Sequence, residues 1–100
     1  MIPHRIHRDA EAEFWAAAAY YEARIPGLAL EFIQEVERGI KAIKADPQRW
    51  RIRKHGARRY NLEQFPYYIA YVDMADHVWI VAVAHGRRRP GYWKARLRGE

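Results

Sequence analysis

One hundred residues, half of them hydrophobic, make a single globular domain over residues 1–100 and leave no room for a second. The absence of cysteine excludes disulfides and thiolate metal sites, and no apolar run approaches the roughly 20 residues that span a bilayer. The net charge of +6 is uneven: residues 1–50 hold 7 Lys and Arg against 8 Asp and Glu, whereas residues 51–100 hold 11 against 4. A nucleic acid or an acidic protein is therefore expected to meet the C-terminal half. The N-terminus carries no apolar signal core, so a cytoplasmic location is expected, without membrane contact.

Ile2 to Arg8 predicts a short first strand near a sheet edge. His4 and His7, three residues apart on a strand, point to opposite faces and have no Asp, Glu or Cys at ligand spacing, so no metal and no cofactor is expected. Asp9 predicts the N-cap of a helix running to about Arg24, with Glu11 and Glu13 in the first turn where carboxylates complement the helix dipole. Phe14, Ala18 and Tyr21 form its apolar stripe, and the alanines from Ala16 to Ala19 allow a second helix to come close. Pro26-Gly27 ends it.

The next segment is the clearest periodic stretch: Ala29, Phe32, Ile33, Val36, Ile40 and Ile43 lie on one helical face, and Glu31, Gln34, Glu35, Arg38, Lys41 and Lys44 on the other. Asp46-Pro47 stops it. Two helices joined by so short a break fold back as an antiparallel hairpin, and their shared apolar face needs a sheet to cover it. After a basic connection at residues 48–56 come three strand candidates: Ala57 to Leu62, Tyr67 to Val72, and His77 to Ala84. In the last, Val78, Ile80, Ala82 and Ala84 alternate with Trp79, Val81, Val83 and His85, so both faces are apolar and the strand is expected at the sheet centre. It delivers Arg87, Arg88 and Arg89 on a loop stiffened by Pro90 and followed by Tyr92 and Trp93, an arrangement suited to a phosphate or an acidic partner. A short helix over Trp93 to Arg98 closes the chain. The expected fold is α+β, in the order β-α-α-β-β-β, with a helical hairpin packed on a small curved antiparallel sheet.

Tyr20-Tyr21-Glu22, Arg24-Ile-Pro-Gly-Leu28, Ala45-Asp-Pro47, Arg58-Arg59-Tyr60, Phe65-Pro66-Tyr67 and Val83-Ala-His-Gly-Arg-Arg-Arg-Pro-Gly-Tyr-Trp93 follow one another along the chain. Their order and spacing resemble the RelE/ParE toxin superfamily of bacterial type II toxin–antitoxin systems. The helix and Phe65-Pro66-Tyr67 patterns lean towards the ParE side. Membership implies a toxin neutralised by a cognate antitoxin, acting either as a poison of DNA gyrase through protein contact or, on the RelE side, as a ribosome-dependent messenger RNA endoribonuclease. The nuclease reading needs Arg59, His85, Arg87 and Tyr92 to converge as cations, acid and base without metal. On either reading Lys54, Arg58, Arg87, Arg88, Arg89 and Trp93 are expected to meet the target. Trp15, Tyr20, Tyr21 and Phe32 are expected to meet an acidic antitoxin that folds on binding, forming a hetero-oligomer. A basic nucleic-acid-binding module without toxicity fits the charge but leaves the helical hairpin unexplained. Each residue also has a purely structural alternative: His85 donating to a backbone carbonyl, Arg59 paired with Glu63 or Asp73, and Trp93 packing the C-terminal segment on the sheet.

Overall fold

The computed structural model describes residues 2–99. Its elements follow the predicted order: β1 (His4–Ile6), α1 (Arg8–Arg24), α2 (Leu28–Ala45), β2 (Arg58–Asn61), β3 (Tyr67–Asp73) and β4 (Val78–His85), with 3-10 segments at Lys54–Gly56 and Lys94–Arg98. None of its helices is long and apolar enough to cross a membrane.

The cap of α1 is His7, not Asp9. Its backbone N–H donates to the Ile80 carbonyl at 2.8 Å as the last rung beside β4, and its Nδ1 accepts from the Asp9 N–H at 3.0 Å. The strand thus runs up to the helix start and leaves Asp9 inside the first turn. At the other end Gly27 turns the chain with φ of 91°, a left-handed conformation that glycine adopts without penalty. Gly27 has no side chain with which to cap α2. Glu22 of α1 does so instead, accepting from the Gly27 and Ala29 N–H groups at 3.1 Å. That bond gives the Tyr20-Tyr21-Glu22 motif a structural purpose.

Phe32, Val36 and Ile43 of α2 are buried as predicted. Glu35, placed by its spacing on the polar face, is buried as well, and its carboxylate accepts from the Glu63 and Gln64 N–H groups at 2.5 and 3.2 Å. It ties the helix to the loop between β2 and β3. Gly39 lets the same helix lie directly on β2, since a Cβ there would stand 2.8 Å from Tyr60 Cε1.

The sheet has the order β1-β4-β3-β2, with β4 central as its two apolar faces predict. It is mixed: β2, β3 and β4 are antiparallel, but β1 joins β4 in parallel because the helical hairpin carries the chain across the sheet between them. One feature of β4 departs from the predicted alternation. Tyr71 pairs with Ile80 and Ala70 with Ala82, so Val81 has no partner. A bulge of one residue moves every later side chain to the opposite face. Val78 and Ile80 face the helices, but beyond the bulge Val83 joins them and Ala82 and Ala84 turn away. His85 turns with Val83 and lies against Tyr67, the ring centroids 5.1 Å apart.

Two apolar layers result. The helices cover one side through Phe32, Val36, Ile43, Ile69, Tyr71 and Ile80. The segment after β4 covers the other, where Trp93 and Leu97 meet Tyr68, Ala70, Val81 and Ala82. The strand is apolar on both faces because both are covered.

Candidate functional site

The shortness of β1 shapes the C-terminal end of β4. β1 is only three residues long, so beyond Ile80 the outer edge of β4 has no strand beside it. Two side chains take its place. Glu13 of α1 accepts from the Val83 N–H at 3.1 Å, and Arg96 Nη1 donates to the Val81 carbonyl at 2.9 Å. The two also pair with each other, Arg96 Nη1 and Nη2 donating to Oε1 and Oε2 of Glu13 at 3.0 and 2.9 Å. Tyr92 completes the cluster by donating its hydroxyl to Glu13 Oε2 at 2.6 Å. One carboxylate therefore anchors the first helix, the central strand and the C-terminal segment.

This cluster fixes the chemistry of Tyr92. Burial, the hydrogen bond to Glu13 and the negative charge of that carboxylate together push its phenol well above the ordinary value. Arg88 lies over one side of the ring at 3.8 Å and Arg96 approaches it at 5.4 Å. The hydroxyl is engaged and its proton firmly held.

The four residues expected to form a catalytic set are not gathered into one. Arg59 lies on the sheet face away from the helices, its guanidinium 3.9 Å above the Tyr68 ring and its Nε donating to Asn61 Oδ1 at 2.9 Å. Neither Glu63 nor Asp73 is its partner. His85 sits on the helix side because of the bulge, and its Nδ1 accepts from the Arg87 N–H at 3.0 Å. It stiffens the loop as an acceptor, the reverse of the expected donation to a carbonyl. A shallow groove of about 250 Å³ at the sheet end is lined by Arg59, His85 and Arg87, without Tyr92. Tyr92 instead lines a second groove of about 260 Å³ with Glu13, Tyr20, Tyr67 and Arg88.

The target-facing residues divide similarly. Arg87, Arg88 and Arg89 are all exposed, and among the described residues none has a carboxylate within 4.0 Å. Trp93 is 8% exposed and its Nε1 donates to the Tyr68 hydroxyl at 3.1 Å, so it is a packing residue and not a contact surface. Lys54 and Arg58 line the wall of a larger groove of about 730 Å³ on the sheet face opposite the helices. Of the residues expected to meet an antitoxin, Trp15 and Tyr20 are exposed and Tyr21 is partly buried against Phe32 and Phe65. Phe32 is fully buried, since it points from α2 into the aromatic cluster under the helices, and so offers no surface.

Sequence reasoning missed the residues whose roles depend on distant partners. Glu13 and Arg96 carry no local signal, because 83 positions separate them. Ile25 and Leu30, 57% and 58% exposed at the hairpin tip, were legible as apolar residues off the main stripe. Among the described residues no group of three or more His, Asp or Glu gathers as metal ligands would.

Residues 5–90 match the family described as "ParE toxin of type II toxin-antitoxin system, parDE". No curated protein is significantly similar in sequence. Among solved structures, a chain of the chromosomal ParDE TA system from P. aeruginosa superposes with a TM-score of 0.74 over 85% of this chain and 96% of that one, at 22% identity, which is a likeness of fold. The family match runs from within β1 through the arginine loop and takes in both helices and strands β2, β3 and β4, so this chain belongs to the ParE toxin family of type II toxin–antitoxin systems.

Proposed function

We propose that this chain inhibits DNA gyrase by protein–protein contact and is neutralised by a cognate antitoxin. The observation that carries the choice between inhibition and RNA cleavage is the engagement of Tyr92 by Glu13. A metal-free ribonuclease needs an acid and a base on either side of one phosphate. Tyr92 is clamped outside the groove that Arg59, His85 and Arg87 line, and the Nδ1 of His85 is taken up by the Arg87 N–H, so Tyr92 and His85 do not flank Arg59 as an acid–base pair. A binding poison needs no such pair. It needs a rigid, accessible surface, and the loop bearing Arg87, Arg88 and Arg89 is mounted on a strand anchored by Glu13 and Arg96.

For the antitoxin we propose an acidic segment, disordered when free, that folds along the helical hairpin and forms a hetero-oligomer with the toxin. A groove of about 520 Å³ runs between α1, α2 and β1, with Phe14, Trp15, Val36 and Ile40 as its apolar wall, and with Lys41 and Lys44 beside Glu11 and Glu37 at its rim. An amphipathic helix suits that apolar wall, and acidic flanks suit the excess positive charge of residues 51–100.

A brief pulse of expression in growing bacteria, with plasmid supercoiling and transcript ends followed in the same culture, tests the reading. Loss of supercoiling or cleaved plasmid with intact transcripts is expected. Codon-phased transcript cuts with normal supercoiling would overturn it.

A further inference from the structure

Between Pro47 and Leu62 the chain carries six Lys and Arg and no Asp or Glu. This basic connection is not a free loop. Arg53 N–H donates to the Ala57 carbonyl at 2.8 Å, and Ile52 bridges to Arg58 as a short extension of the sheet. Between them His55 is held at φ of 66°, in the left-handed region that non-glycine residues rarely adopt. Its ring is edge-on to Trp93 with centroids 6.5 Å apart, and close enough to Gly91 that a Cβ there would lie 3.4 Å from Nε2. The connection is thus braced against the C-terminal segment, and the groove of about 730 Å³ lies between the two.

Arg51, Arg53, Lys54, Arg58 and Arg59 line that groove, and no carboxylate does. Arg58 is partly committed, donating Nη1 to the Trp50 carbonyl at 2.7 Å. Arg51, Arg53 and Lys54 are exposed. Arg59 is fixed flat: Tyr68 supports one face of its guanidinium, Asn61 holds its Nε, and its other face is turned away from the ring.

We infer that this groove binds a single-stranded polynucleotide, with Arg51, Arg53 and Lys54 on its phosphates and a base stacked on the guanidinium plane of Arg59. An acidic peptide is the competing occupant, and the floor of the groove argues against it. Peptide affinity depends on apolar anchors seated in pockets. Here Ala57, Tyr68 and Trp93 are 2%, 3% and 8% exposed, so the floor is closed, and the exposed apolar side chains are Ile52, at 56%, and Pro90 at the edge. Polynucleotide affinity comes instead from neutralised phosphates and from planar stacking partners, guanidinium planes included. The groove supplies both. Such a contact goes beyond the protein contact proposed with gyrase and does not depend on it.

The test uses the purified full chain and a fluorescein-labelled mixed-sequence DNA strand of about 20 nucleotides, long enough to fill one binding groove, with anisotropy read over a salt series. Three phosphate contacts predict a slope of log K against log salt of about −2. Replacing the exposed pair, Arg51→Gln with Arg53→Gln, should weaken binding about 10-fold or more and bring the slope to about −1. Arg59→Lys keeps the charge and removes the plane; it should weaken binding about fivefold with the slope unchanged. A labelled oligoglutamate of equal length should bind more weakly than the DNA. The inference is overturned if the double variant, folded by circular dichroism, binds as the parent does, if Arg59→Lys has no effect, or if oligoglutamate binds more tightly. No gyrase is present in this assay, so its failure leaves the gyrase reading standing, and failure of the gyrase reading leaves this result intact.

Discussion

At the scale of single residues, Glu13 carries more of the structure than any expected site residue. It receives hydrogen bonds from Val83, Tyr92 and Arg96, and the side chains of Glu13 and Arg96 are only 17% and 15% exposed. Glu13→Gln leaves a mostly buried guanidinium with only the half-exposed Asp9 carboxylate, 3.9 Å from its Nε, as counter-charge, and should cost about 2 to 3 kcal/mol of stability, measured by urea unfolding. A loss below about 0.5 kcal/mol, the size of a surface ion pair, would show that the cluster is ornamental. Tyr71 gives a pH signature. It is fully buried, donates its hydroxyl to the Pro47 carbonyl at 2.6 Å, and burial pushes its phenol up to about 12. An unfolded tyrosine ionises near 10, so between the two values the unfolded chain releases a proton that the folded chain keeps. Stability contributed by Tyr71 is therefore present below about pH 10 and falls as pH rises towards 12, by about 2 to 3 kcal/mol in all. Tyr71→Phe should flatten part of that alkaline decline in urea midpoints taken from pH 9 to 12; an unchanged slope would contradict it.

At the scale of elements, the sequence made the helices and strands legible wherever a period or a breaker was local. α2 follows its apolar period from Ala29 to Ile43, and Pro26-Gly27 and Asp46-Pro47 stop the helices where expected. The faces of β4 were legible only to Ile80. A bulge is decided by the register of the partner strand, and nothing in the run from Val78 to Ala84 marks Val81 as the unpaired residue. That one slip moved His85 to the helix side, against Tyr67. Glu35 misled for a related reason: its place on the helix is polar, but the loop folded over it supplies two N–H donors. Gly39 offers a prediction at this scale. In an open helix Gly→Ala gains about 1 kcal/mol, but here the new methyl meets Tyr60 Cε1 at 2.8 Å and Ile69 Cδ1 at 3.0 Å. Overpacking of this kind costs about 1 to 3 kcal/mol, so Gly39→Ala should be net destabilising in thermal melts. A raised melting temperature would show that α2 is not pressed on β2 as described.

At the scale of the whole molecule, the uneven charge found in the sequence becomes a spatial division. The helical side presents mixed charge around an apolar groove, whereas the sheet end and the opposite face present Arg87, Arg88, Arg89 and the basic connection. The two sides suit two partners, as the proposed gyrase and antitoxin contacts require. If the arginine loop meets the target, Arg87→Glu with Arg88→Glu should abolish growth inhibition while leaving the fold intact, since both side chains are exposed. His85→Ala with Tyr92→Phe should leave inhibition in place, because neither residue acts as acid or base in a binding poison. The reverse pattern in a growth assay would favour catalysis.

Inhibition of gyrase by direct contact can be measured with purified components: the chain, DNA gyrase, ATP and a relaxed plasmid, with supercoiling and linear DNA followed on a gel. The chain is expected to block supercoiling and accumulate cleaved plasmid, and Arg87→Glu with Arg88→Glu to do neither. Full supercoiling at a large excess of folded chain, with no cleaved product, would contradict direct inhibition.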